Sequence, residues 1–194
     1  KGSSRVQQLI IYDDDSLLEK LHLPKGSMQL IQEDTLSEIR KYTSGMKIHR
    51  STGGSAGNTV CALAALGANP GFIGKVGQDE TGAFFGDTLR QRGVNALLAT
   101  CDLPSGIAST FISTDGERTF GTYLGAAATL RAEDLSRKMF AGYNYLYIEG
   151  YLLQDHDLML RAVQLAKEEG LQVCLDMASY NVVEAERDFF DQLI

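Results

Sequence analysis

The chain has 194 residues and a formal net charge of −7, with 44% of its residues hydrophobic and 22% charged. That is a soluble globular composition, and its acidic balance argues against a nucleic-acid groove, which needs clustered Lys and Arg. No apolar run approaches the ~18 residues that would span a membrane, and the first residues lack the apolar core of a secretory leader. Three scattered cysteines, Cys61, Cys101 and Cys174, make no disulfide framework. The expectation is a cytoplasmic protein with buried free thiols and no nucleic-acid or membrane partner.

Residues 6–12 read as a short strand, and Asp13-Asp14-Asp15-Ser16 introduces a short helix to Leu21. The three aspartates are either a ligand cluster or a cap that complements the helix dipole. Capping is the expectation, because no fourth ligand stands near them. Leu23-Pro24-Lys25-Gly26-Ser27-Met28-Gln29-Leu30-Ile31 is a turn followed by a strand. Thr35 and Glu38 stand at capping-box spacing for a helix that Gly45 closes. Residues 47–52 alternate like a strand with one exposed or ligand-facing side.

A helix at 55–66, a strand at 71–76 and a helix at 80–92 follow, the last with Phe84, Phe85, Thr88 and Leu89 inward and Gly93 as its stop. Residues 95–99 form a further strand. Residues 107–114 and 117–124 flank Asp115-Gly116, a strong hairpin signal. Residues 132–140 read as a helix, 143–149 as a buried strand, 157–169 as a helix ended by Gly170, and 172–176 as a strand before a last helical stretch. The alternating later chain argues a parallel α/β sheet. The β pieces at 47–52, 95–99 and 107–124 are expected to pair into a small separate sheet, a flap on one domain spanning 1–194.

Chemistry concentrates at Ser51-Thr52-Gly53-Gly54-Ser55-Ala56-Gly57-Asn58. Two glycines at a strand-to-helix turn let a ligand approach bare backbone. The helix start offers unpaired N–H groups, and the Asn58 amide can both donate to and accept from a hydroxyl. That suits a polyhydroxy ligand such as a sugar ring, although the same residues would serve as a plain turn and cap. Other motifs fail. Residues 67–75 imitate a P-loop, but Asn69 stands where a Gly is required and Val76 where Ser or Thr is. No Gly-x-Gly-x-x-Gly follows a strand, and His22, His49 and His156 show no metal spacing.

A second turn of the same type comes about twenty residues later, Ile73-Gly74-Lys75-Val76-Gly77-Gln78-Asp79-Glu80-Thr81-Gly82. The two together resemble the first signature of the ribokinase-like (PfkB) carbohydrate kinases, and the chain is most similar to the adenosine kinase side of that family. The resemblance implies an α/β, ribokinase-like three-layer domain with a mostly parallel sheet and a small β lid, its C-terminal part missing. It implies an ATP- and Mg2+-dependent phosphoryl transfer to a primary hydroxyl of a sugar or of a nucleoside's ribose. It makes Gly53, Gly54, Asn58, Gln29, Leu30 and Tyr151 substrate-binding residues and puts Arg118 and Asp176 at the phosphates. The open edge of so small a flap needs a cover, either the ligand-filled cleft or a second subunit's flap, and a homodimer through the lid is the expectation that follows from the second. Residues 1–12 lack the Gly-Asn of the family's first strand, and the second signature, Asp-Thr-x-Gly-Ala-Gly-Asp, with its catalytic aspartate, is absent. The chain is therefore expected to carry the substrate half of a kinase, or else to be a non-catalytic sugar- or nucleoside-binding remnant.

Overall fold

A computed structural model describes residues 4–150, 152, 155–177 and 180–193. They form two compact units, divided between Ala127 and Ala128.

The first unit is built on a five-stranded mixed sheet of β1 (Arg5–Ile11), β2 (Met28–Leu30), β3 (Ile48–Gly53), β6 (Gly106–Ile112) and β7 (Arg118–Tyr123), in the order β2-β7-β6-β1-β3. β1 runs parallel to β6 (Arg5 opposite Gly106) and antiparallel to β3 (Arg5 opposite Gly53), while β6 and β7 close as the expected hairpin. Because side chains alternate along a strand, the register sorts the sheet into two faces. One carries Ile10, Ile107, Phe111 and Tyr123, packed with Leu18 of α1 (Ser16–Lys20) and Leu36 and Ile39 of α2 (Glu33–Tyr42). The other carries Leu9, Ile11, Met28, Leu30, Arg118, Phe120 and Gly53.

In the same unit α3 (Ser55–Ala65) leads into β4 (Gly71–Gly77), α4 (Glu80–Gln91) and β5 (Asn95–Cys101). β5 pairs in parallel with β4, Gly71 opposite Asn95, in a sheet of its own. This corrects the expectation that 95–99 joins the flap. α4 lies between the two strands in sequence and supplies the crossover that a parallel pair needs. Its Phe85 and Leu89 pack with Phe72, Val76 and Val94.

The second unit repeats the pattern: β8 (Tyr145–Ile148), α5 (His156–Glu168) and β9 (Gln172–Leu175), with β8 and β9 parallel, then α6 (Tyr180–Ala185) and α7 (Arg187–Leu193). Ile148, Met159, Val163, Phe189 and Phe190 form its core.

Four local expectations need correction. α2 begins at Glu33, so Thr35 lies within the helix and is not its cap; Glu33 and Asp34 complement its first turn. Residues 132–140 form two short 3-10 turns in place of a helix. Asp134 accepts from the Arg131 N–H at 2.9 Å and closes the first. The buried side chains Leu130, Leu135 and Phe140 recur every fifth residue, off the helical period. β8 is buried on one face only, with Tyr145 62% and Tyr147 51% exposed. None of the cysteines is in a disulfide, but Cys61 and Cys101 are half-buried and Cys174 is exposed, so the expected burial is not found.

Candidate functional site

β3 ends at Gly53, where the chain passes close against β1: an added Cβ would lie 3.2 Å from the Arg5 carbonyl oxygen and 3.2 Å from the Gln7 Cβ. Gly54 then takes φ +85°, a conformation glycine reaches without strain, and occupies the N-cap of α3 with no side chain to satisfy the helix's first N–H groups. Asn58 lies in the first turn, its N–H donating to the Gly54 carbonyl at 3.0 Å. Its exposed side chain lines a shallow groove with Cys61, Ala62, Ala65 and Arg92.

The run before β2 explains how Leu30 is presented. Ser27 N–H donates to the Pro24 carbonyl at 3.1 Å, and Gly26, at φ +76°, donates its N–H to Thr119 Oγ1 at 2.9 Å. Lys25 Nζ bridges Asp15 and Asp115, each at 3.0 Å, and so pins this turn to the hairpin tip. The Asp115 carboxyl is lowered to about 2, first by the Ser113 hydroxyl and then by Lys25 and the Glu117 N–H. Asp14 accepts from the N–H and hydroxyl of Ser16 at the start of α1, while Asp15, the N-cap residue, makes no capping hydrogen bond with its side chain and serves the bridge instead.

β2 is thereby laid on the edge of β7, Leu30 opposite Thr122. Leu30 is 64% exposed, Met28 64% and Ile11 61%, so the face opposite the helices is left uncovered there. Gln29 and Leu30 cannot line one pocket wall together, because adjacent strand residues point to opposite faces. Leu30 is on the uncovered face. Gln29 is on the other, opposite Gly121, and its amide donates to Ser27 Oγ at 3.3 Å.

Arg118 opens β7 on Leu30's side of the sheet, exposed and with no hydrogen bond or ion pair among the described residues. Leu30 sits opposite Thr122, four residues along β7 from Arg118, or about 13 Å at strand rise. Gly53, Leu30 and Arg118 thus belong to one face of one sheet.

Asp176 belongs to the second unit. It follows β9, half-buried, its N–H donating to the Ile148 carbonyl at 2.9 Å. Desolvation, then the Asp176 and Glu149 carboxylates, raise the Tyr147 phenol above its ordinary value. Glu149, buried just after β8, was not picked out from sequence; its signal is a charge closing a hydrophobic strand. Both acids stand at the carboxyl ends of parallel strands, the ligand edge of α/β sheets. Tyr151 lies outside the described residues.

The second glycine turn proves to be a socket for the chain itself. A Cβ at Gly77 would be driven into the Leu103 carbonyl and lie 2.8 Å from the Ser105 N; one at Gly82 would be driven into the Gly77 carbonyl and lie 2.8 Å from Ser105 Oγ. The occupant is Ser105, 2% exposed, which donates its N–H and its hydroxyl to Asp79 at 2.8 and 2.6 Å. Partial burial pulls the Asp79 carboxyl up, but Ser105 and the Gly82 N–H outweigh it and hold it below its ordinary value. A depressed carboxyl adds stability above its unfolded pKa, near 3.9, and that share is lost as pH falls through the folded value. Urea unfolding of wild type and Asp79→Asn should therefore differ at neutral pH and converge below about pH 4. A difference that stays constant to lower pH would refute this.

A family model described as pfkB family carbohydrate kinase matches residues 28–189. The chain belongs to the pfkB family. Among curated proteins it is 30% identical over 134 residues to a probable fructokinase-4 of Arabidopsis thaliana, covering 66% of this chain and 41% of that protein. It is 30% identical over 150 residues to an aminoimidazole riboside kinase of Salmonella typhimurium, covering 73% of this chain and 46% of that one. Among solved structures, an adenosine kinase from Sinorhizobium meliloti superposes with a TM-score of 0.79 at 31% identity, covering 99% of this chain and 59% of that chain. The pfkB chain thus has the α/β ribokinase-like fold, with mixed and parallel sheets and a small β lid, and is classed with kinases. It spans less than half the length of those curated relatives. No helix among the described residues is long and apolar enough to cross a membrane.

Proposed function

We propose that the complete protein transfers the γ-phosphoryl group of ATP, with Mg2+, to a primary hydroxyl of a sugar or of a nucleoside's ribose, in the cytoplasm. Residues 1–194 would be one incomplete ribokinase-like domain carrying the acceptor side, with the catalytic aspartate and nucleotide site outside it. The observation that supports this most is that Gly53, Leu30 and Arg118 share one sheet face, uncovered at Leu30. Gly53, Gly54 and Asn58 would hold acceptor hydroxyls, and Arg118 and Asp176 the phosphates. The exposed apolar Ile11, Met28 and Leu30 favour an acceptor with a flat apolar part, an adenosine-like nucleoside over a free hexose. Among the described residues no group of three or more His, Cys, Asp or Glu is placed to hold a metal. The residues present therefore fit Mg2+ only as an ion carried chiefly by ATP phosphate oxygens and water.

Phosphoryl-transfer assays of full-length protein against a panel of sugars and nucleosides test the reading; no turnover on any would overturn it. Within such a protein Asn58→Ala should weaken acceptor binding by about 0.5–1.5 kcal/mol and leave ATP binding unchanged. Calorimetric titration checks this, and an unaltered acceptor affinity would remove Asn58 from the site.

A second reading is a non-catalytic sugar- or nucleoside-binding remnant that keeps the acceptor face alone. Intact mass spectrometry separates the two: a mass near 21.2 kDa supports the remnant. The uncovered face would also suit a second copy. Light scattering at micromolar concentration should then give a dimer, and a clean monomer mass would reject it.

A further inference from the structure

The root of the five-stranded sheet is plugged into β4 by two buried serines on neighbouring strands. Ser4, just before β1, donates its hydroxyl to the Lys75 carbonyl at 2.8 Å and accepts from the Lys75 N–H at 3.3 Å. Ser105, just before β6, accepts at Oγ from the Gly77 N–H at 2.8 Å. Its own hydroxyl and N–H go to Asp79, whose Oδ1 also accepts from the Gly82 N–H at 2.7 Å. Capping α4 uses one of the three hydrogen bonds that Asp79 accepts; the other two hold Ser105.

The exit of the β6–β7 hairpin passes the same point. Ala126 N–H donates to the Pro104 carbonyl at 2.8 Å, and a Cβ on Gly106 would lie 2.7 Å from the Leu124 carbonyl oxygen. Both ends of the hairpin therefore run through the segment that Asp79 grips, and the hairpin carries Arg118 and Phe120 on the uncovered face.

We infer that Asp79 is a positioning residue: it latches the root of β6 to the β4–α4 turn and so sets where the hairpin presents Arg118 and Phe120 to an acceptor. The latch stands on geometry; its consequence for the acceptor rests on the phosphoryl-transfer reading. Charge-assisted hydrogen bonds are about twice as strong as neutral ones, which suits a carboxylate to the task.

Asp79→Asn separates latching from capping. Asn is as good an N-cap as Asp, but its amide offers one acceptor oxygen in place of two, and its NH2 would face the Ser105 N–H, donor against donor. Hydrogen exchange should speed up at least about tenfold across residues 105–112 and 118–123 while α4 changes less than about twofold. Adenosine, used as the acceptor probe on full-length protein, should bind about tenfold more weakly, a loss of roughly 1.4 kcal/mol. Ser105→Ala, which leaves the α4 cap in place, should give the same exchange pattern and provides the reading if Asp79→Asn does not fold. Exchange that rises equally in α4 and hairpin, or in neither, overturns the latch. Wild-type protein that binds no adenosine counts against the nucleoside reading alone, since the exchange result stands without it.

Discussion

Gly82→Ala should destabilise the chain by about 3 kcal/mol, although alanine is the better helix former by up to ~1 kcal/mol. The new Cβ meets the Gly77 backbone carbonyl and lies 2.8 Å from Ser105 Oγ and 3.1 Å from the Val76 Cβ. Neither the carbonyl nor the buried serine can swing aside as the end of a long side chain would. Relief requires α4 to back away, which breaks the Gly82 N–H bond to Asp79, and a hydrogen bond to a charged group contributes about 1.5–3 kcal/mol. Against a total stability of about 5–15 kcal/mol this is a large fraction, and the urea midpoint should fall by about 1–2 M. Gly57→Ala is the internal control: nothing lies within 4 Å of its Cβ, so the same change inside α3 should be neutral or stabilising by up to about 1 kcal/mol. Equal midpoints for the two variants would show that the socket does not exist.

Arg118→Ala should leave folding unchanged and lower kcat of the full-length protein by about 100- to 1,000-fold, with the acceptor KM within a few-fold. Arg118 is exposed and holds no partner among the described residues, so its loss removes no structural contact. In phosphoryl transfer, catalysis is mostly positioning and charge stabilisation. A cation that meets the transferred group only in the transition state acts on kcat. Arg118→Lys should recover a part of the rate, since a point charge replaces the two-pronged guanidinium. Steady-state kinetics with ATP and the best acceptor measure both. An unchanged kcat would make Arg118 an ordinary solvated arginine, the usual role of a charge beside a hairpin turn.

Much of this protein was legible in the sequence because it is written in local rules. Gly67, Gly93 and Gly170 end helices at positive φ, and Asp115-Gly116 makes the hairpin. The spacing of Leu158, Val163 and Ala166 fixes which side of α5 is buried. The paired signature turns resemble those of the pfkB family, to which the chain belongs. What a strand pairs with, and what fills a turn, are set by residues distant in sequence, and there tertiary structure decided. Residues 95–99 carry the alternation expected of a flap strand, yet the crossover through α4 sends β5 to β4. Gln29 and Leu30 are neighbours in sequence but the pleat puts them on opposite faces, which only the register with β7 reveals. Gly53-Gly54 and Gly77 to Gly82 read alike, as bare turns open to a ligand. The first ends a strand on the sheet face that Leu30 and Arg118 share and stays a candidate site, whereas the second is filled by Ser105 from 26 residues beyond Asp79, a contact that no local pattern encodes.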